Sequence, residues 1–206
     1  SDLLTIRSGP AYRIVEVRGD TLGVAVGAKV GLKARVRDAY GNAVSSEIVR
    51  FVITSNLGGS PSLWDGTGAP GDGLVLTDAT GAAVCSLTTD THSGINTVSA
   101  SILDANPPAL ERVLFTVGTA AGSIARFEVL PDGYSKTAGQ SFALQLIAYD
   151  LDGNEATQDD TSRVNLWSNG SAVFSANPVT LTDGRAAVTV YDNRAEKLVL
   201  RAQTLA

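Results

Sequence analysis

One histidine, His92, lies in Asp90-Thr91-His92-Ser93-Gly94. A Ser–His–Asp nucleophilic site would have to use it. No Gly-x-Ser-x-Gly elbow is present to supply the serine, so the reading is a solvated loop with no catalytic role. Asp150, Asp152 and Asn154, followed by Asp159 and Asp160, imitate an oxygen-rich calcium loop. The glycine there is Gly153, ahead of Asn154, which misses the EF-hand position. A structural turn is therefore expected, with a weak calcium site as the alternative. No paired carboxylates, metal-ligand cluster or phosphate loop stands out. No catalytic residue, metal site or cofactor is assigned, and no ligand-binding residue is fixed.

Four further residues or motifs could act by binding. Trp64 lies in a Gly/Pro/Ser-rich stretch near residues 55–73, and a long loop without its own structure is often functional. The expected role is a Leu63/Trp64 plug over an open domain end, with stacking on sugars or a partner as the alternative. Trp167 follows Val164 and Leu166, and strict alternation turns it away from them. A sandwich core often buries a Trp on such a strand, so packing is expected and ligand stacking is the alternative. Asn169-Gly170-Ser171 fits a glycosylation sequon, a pattern that occurs often by chance. Cys85 is the single cysteine, so neither an internal disulfide nor a Cys-based zinc site can form. It is expected to be a small buried core residue.

The elements that carry these residues repeat. Val26-Gly27 and Ala138-Gly139, Leu32 and Leu144, Asp38 and Asp150, Gly41 and Gly153, and Asn42 and Asn154 recur at one constant spacing. The first copy alternates through Leu32, Ala34 and Val36, and the second through Leu144, Leu146 and Ala148. That pattern is a strand with one buried face. Each strand breaks at a turn, Asp38-Ala39-Tyr40-Gly41-Asn42 or Asp150-Leu151-Asp152-Gly153-Asn154. Tyr40 stands where the second copy has Asp152, so the middle carboxylate is not repeated. Further along, Leu76-Thr77-Asp78 matches Leu181-Thr182-Asp183. Ala83, Cys85 and Leu87 match Ala186, Val188 and Val190, and Val98-Ser99-Ala100 matches Leu200-Arg201-Ala202. The gaps between these matches fall in loops.

About seven short strands per copy, in units of roughly 100 residues, predict an all-β chain of two tandem immunoglobulin-like β-sandwiches. The expected boundaries are residues 11–118 and 119–206. Residues 1–10 form a strand-like lead-in, because Leu3-Leu4-Thr5-Ile6 lines up with Leu114-Phe115-Thr116-Val117. The lead-in reads as the end of a preceding repeat. The second copy shows no counterpart of residues 112–117 and is expected to lack its final strand. Complementary ends also allow residues 2–7 of one molecule to pair with the open edge of another.

The net charge is −5 and no Lys/Arg cluster occurs, so nucleic acid is not an expected partner. No apolar run reaches the length of a membrane helix. Ser1-Asp2-Leu3-Leu4-Thr5 is not a signal peptide.

The Asp-x-x-Gly-Asn turn, Thr77-Asp78 with Gly81-Ala82-Ala83, the Val98-Ser99-Ala100 strand and the Gly9-Pro10-Ala11 linker together resemble the bacterial Ig-like repeats of the invasin and intimin type. The second copy keeps the turn at residues 150–154 and Thr182-Asp183-Gly184. The resemblance spans most of the chain. It implies a non-enzymatic segment of a larger bacterial surface or secreted protein, a stalk, spacer or adhesion array outside the cell. Its partners would be neighbouring Ig-like repeats, with a host, cell-surface or glycan ligand as the candidate external partner. The alternative is an accessory, carbohydrate-binding module of an exported enzyme.

Overall fold

The computed structural model describes residues 4–55, 57–65, 73–103, 112–131 and 135–205. The chain divides into two compact units, Ser1–Thr119 and Ala120–Ala206. Both are all-β, with no helix among the described residues.

Unit 1 contains β1 (Arg13–Arg18), β2 (Thr21–Ala25), β3 (Lys29–Arg37), β4 (Ile48–Ser55), β5 (Ser62–Trp64), β6 (Leu74–Leu76), β7 (Ala82–Thr88), β8 (Gly94–Ile102) and β9 (Arg112–Ala120). One sheet runs β1-β3-β7-β5 and the other β2-β9-β8-β4-β6. The β3–β7 register sets Leu32 opposite Cys85 and Ala34 opposite Ala83. Side chains alternate across a strand, so this register sends all four to one face. Leu32, Ala34, Val36, Ala83 and Leu87 are fully buried, and Cys85 is nearly so. From the facing sheet Val49, Phe51, Val98, Ala100, Phe115 and Val117 complete the core. The Phe51 and Phe115 rings stack with centroids 6.1 Å apart.

Unit 2 contains β10 (Arg126–Leu130), β11 (Phe142–Tyr149), β12 (Arg163–Ser168), β13 (Val173–Phe174), β14 (Val179–Thr180), β15 (Arg185–Tyr191) and β16 (Leu200–Thr204). Its sheets run β10-β11-β15-β13 and β14-β12-β16. Leu144 pairs with Val188 and Leu146 with Ala186, the same contact made twice in the chain. Leu144, Leu146, Ala148, Val164, Leu166, Leu181, Val188 and Val190 form this core. The first sheet matches that of unit 1 strand for strand, and β14-β12-β16 matches β6-β4-β8. Among the described residues of unit 2, β9 and β2 have no counterpart, and β16 is an edge strand.

Three expectations change. The stretch around Trp64 is not a structureless loop: β5 pairs with β7, setting Leu63 opposite Leu87. Of the rest of that stretch, residues 56 and 66–72 lie outside those described. Trp167 does not pack into the core. It is 42% exposed while Val164 and Leu166 are buried, because β12 keeps strict alternation. Residues 4–7 belong to no strand, and Leu4 and Ile6 are 87% and 88% exposed.

Candidate functional site

The strongest polar constellation is built twice. Asp38 is buried at the end of β3. Its Oδ1 accepts hydrogen bonds from the backbone N–H of Tyr40 (2.9 Å) and of Asn42 (2.8 Å). Its Oδ2 accepts from the Asn42 amide (2.9 Å) and from the backbone N–H of Gly9 (2.9 Å). Asp150 repeats this at the end of β11. Its Oδ1 accepts from Asp152 N–H (3.0 Å) and Asn154 N–H (2.8 Å). Its Oδ2 accepts from the Asn154 amide (2.9 Å) and Gly122 N–H (2.8 Å). Gly41 and Gly153 hold these turns at φ 87° and 88°, a left-handed conformation that disfavours any side chain.

Each carboxylate thus clamps a residue just ahead of its unit's first strand, across 29 residues in one unit and 28 in the other. Bonds to the ionised form lower a carboxyl pKa. The Asn42 amide, aided by the three backbone N–H groups, takes Asp38 down to about 2 against the opposing effect of burial. At Asp150 burial pushes the pKa up. The bonds from Asn154, Gly122 and Asp152 outweigh it and hold the carboxyl below its usual range. The oxygens proposed from sequence as calcium ligands at Asp150 are therefore engaged in holding the chain. Asp152 is exposed beside them, contributing its N–H to the turn. Asp159 lies apart, accepting from Thr161 N–H and from Ser162 through N–H and hydroxyl. Asp160 accepts from Asp183 N–H (2.7 Å).

Asp90 is a third loop fastener. Its fully buried carboxylate accepts from the N–H of Leu57, Gly59 and His92, with the His92 Nδ1 at 3.2 Å. Burial raises its pKa, and the backbone bonds reverse that and lower it. The His92 side chain is half exposed on the rim, and its carbonyl accepts from the Thr119 hydroxyl. This arrangement staples residues 57–59 to residues 90–92.

The aromatic candidates differ in availability. Trp64 donates Nε1–H to Thr88 Oγ1 (2.9 Å), and the Lys29 ammonium sits 4.2 Å from its ring centroid. One face is thus already taken by a cation–π contact. Trp167 stands on the outer face of β12 opposite Arg201. Cys85 is buried, and its thiol donates to the Trp64 carbonyl at 3.3 Å. In the sequon, Asn169 Oδ1 accepts from Val199 N–H (2.7 Å), and the Ser171 hydroxyl donates to Asp192 and Glu196.

Unit 2 also carries a groove of about 970 Å³ lined by Val129, Phe142, Asp192, Leu198, Val199 and Leu200, among others. It lies along the side where β10 and β16 are the edges of their two sheets. The Asp192 carboxylate there accepts from the Ser171 hydroxyl (2.8 Å) and from Arg194 N–H (2.9 Å).

The FdeC adhesin of Escherichia coli aligns over 95% of this chain and 61% of its own, with a TM-score of 0.53 and 20% identity. InvD of Yersinia pseudotuberculosis aligns over 93% of this chain and 52% of its own, with a TM-score of 0.50 and 16% identity. The fold is that of the invasin/intimin-type bacterial Ig-like domains. The chain spans about three fifths and about half of the length of these two Ig-like structures. No family model matches the sequence, and no curated protein matches it.

In these Ig-like units the clamp is the feature that sequence reasoning missed. The turn and the Gly9-Pro10-Ala11 linker were each visible, but not the bond joining them. The available signal was the recurrence of a Gly ahead of the first strand in both copies, Gly9 and Gly122, alongside the recurring Asp.

Proposed function

We propose that this chain is a non-enzymatic structural and adhesive Ig-like segment of a larger bacterial surface or secreted protein. Within that protein its partners are neighbouring Ig-like repeats, and its place is outside the cell or on the cell surface. The sandwiches are assigned to residues 11–118 and 119–206, with residues 1–10 a lead-in ahead of the first. The observation that carries this reading is the clamp made twice, Asp38 on Gly9 and Asp150 on Gly122. A free linker lets a module swivel, whereas a backbone N–H held by a buried carboxylate fixes the entering chain to its own sandwich. A spacer or stalk needs that property at every repeat. Likeness to the FdeC adhesin supports the same reading.

The test is backbone relaxation by NMR at Gly9 and Gly122. Both amides should be as ordered as the strands, with order parameters of about 0.85, and Asp38→Ala or Asp150→Ala should drop the clamped amide toward about 0.6. Disordered amides in the unaltered chain would remove the basis for a stalk. The accessory carbohydrate-binding reading draws on exposed Trp167. A glycan array with the unaltered chain, Trp64→Ala and Trp167→Ala tests it, and binding lost with either tryptophan would favour that reading.

A further inference from the structure

The outer face of the β1-β3-β7-β5 sheet gathers a charge that the linear sequence scatters. Side chains alternate across a strand. With Leu32, Ala34 and Val36 in the core, Lys29, Lys33, Arg35 and Arg37 therefore point outward from β3. The β1–β3 register sets Arg13 opposite Arg37 and Arg18 opposite Lys33, which puts two more cations on the same face. Every other outward position of the four strands is uncharged, from Val15 on β1 through Val84 and Ser86 on β7 to Trp64 on β5. Among the described residues none of these cations is in an ion pair. All this stands in a chain whose net charge is −5.

Like charges directly opposite one another on neighbouring strands weaken a sheet, so Arg13 with Arg37 and Arg18 with Lys33 oppose folding. The repeat shows that the scaffold does not need them. In unit 2 the same cross-strand places hold Arg126 with Tyr149 and Leu130 with Gln145, and Ile147 stands where unit 1 has Arg35. The cation there, Arg126, lies 4.1 Å from the Tyr149 ring centroid. The core positions of the two copies match while these outward positions diverge, so the charge is not a by-product of the fold. Unit 1 itself engages little of it. Arg37 donates to the Gly41 carbonyl, and Arg35 Nε is buried without a hydrogen-bond partner. Asp78 is the acid beside Lys33, and its Oδ1 already accepts from the N–H of Thr80 and of Ala82.

We propose that this face binds a linear acidic polysaccharide laid along β3. Alternate residues of a strand are about 6.6 Å apart, so Lys33, Arg35 and Arg37 are evenly stepped and Lys29 to Arg37 spans about 27 Å. The cations form a line flanked by Arg13 and Arg18, which suits a chain of regularly repeated anionic groups. Guanidinium forks take carboxylate oxygens two at a time. Trp64 stands at the Lys29 end, its ring held by the bond from Nε1–H to Thr88. Nucleic acid fits less well, because single strands are held by several stacking aromatics and a duplex is read by an element that enters a groove. The inference rests on the adhesive part of the reading above and names its ligand class. It is independent of the clamps, so loss of glycan binding with Gly9 and Gly122 still ordered removes this inference alone.

The test is heparin binding to the full chain by titration calorimetry at about 50 mM and about 200 mM salt, beside neutral dextran, duplex DNA and vesicles of anionic lipid. The double variant Lys33→Gln with Arg35→Gln is compared with Arg163→Gln with Arg201→Gln, which removes the same charge from exposed positions of unit 2. Heparin should bind and dextran should not, with the higher salt weakening the contact. Affinity should fall at least about tenfold for the first pair and under about twofold for the second. Because Lys33→Gln relieves the opposition to Arg18, the unit 1 melting midpoint should hold or rise as binding falls. Arg13→Gln with Arg18→Gln should weaken binding in the same way, which keeps the test decisive if the first pair folds poorly. Absence of heparin binding at the lower salt would overturn the proposal. Equal loss in the unit 1 and unit 2 variants would overturn it, because overall charge must then be responsible. DNA or vesicles held more tightly than heparin through the same residues would overturn it in favour of another polyanion.

Discussion

Phe115→Ala should destabilise unit 1 and leave unit 2 unchanged. Phe115 is fully buried on β9, opposite Val98 and stacked on Phe51 at 6.1 Å. Removing a buried Phe side chain costs about 3–5 kcal/mol through lost transfer energy and the cavity left behind. The site can collapse only partly, because Phe51, Val98 and Val117 are each held in strand register. At about 4–8 °C per kcal/mol for a domain near this size, even the lower figure lowers the unit 1 midpoint by roughly 10–20 °C. Calorimetry on the whole chain reads both units at once, so unit 2 is an internal control. Leu144→Ala, at a side chain 1% exposed, is the mirror experiment and should shift only the other transition, by about 3 kcal/mol. A unit 1 shift under about 0.5 kcal/mol, the range of ordinary surface changes, would refute the placement of β9 in the core. Equal movement of both transitions would refute the separation of the two cores.

Acid should weaken the fold in a defined window. The folded pKa values of Asp38, Asp78, Asp90 and Asp150 lie below the unfolded carboxyl value, that of Asp38 at about 2. Groups depressed on folding bind fewer protons in the native state, so their stabilisation is complete above the unfolded value and is lost as pH falls through the folded one. The melting midpoint should hold from about pH 7 to about pH 5 and fall from about pH 4 toward about pH 2. A midpoint that rises over the acid range would contradict the clamps. Cys85 should resist alkylation in the native chain, because burial raises its thiol pKa and little of it is exposed. Iodoacetamide labelling at neutral pH should require unfolding, and rapid native labelling would place Cys85 outside the core.

Alternation carried the sequence reading furthest. Leu32, Ala34 and Val36, and Leu144, Leu146 and Ala148, are buried as their spacing requires. A period of two fixes which face a residue takes, and a repeat of the pattern fixes it twice. Trp167 obeys that rule and not the general habit of sandwich cores, because β12 keeps its alternation and leaves the ring exposed. β5 was hidden because three residues among Gly, Pro and Ser carry too little pattern to register as a strand, although Leu63 is buried. The clamps were hidden for a different reason. Periodicity speaks of faces, whereas the bond from Gly122 to Asp150 joins positions 28 residues apart and depends on how the entering chain crosses the end of β11.

Two separately folded sandwiches, each fixed to the chain that enters it, should unfold one at a time. Stretching single molecules from end to end reads this out. Two discrete unfolding events are expected per molecule, each releasing roughly 250–400 Å of chain at about 3.3–3.6 Å per residue. Asp38→Ala and Asp150→Ala should each weaken one event and spare the other. Smooth extension without steps, or one event releasing the whole chain, would contradict two separately folded sandwiches.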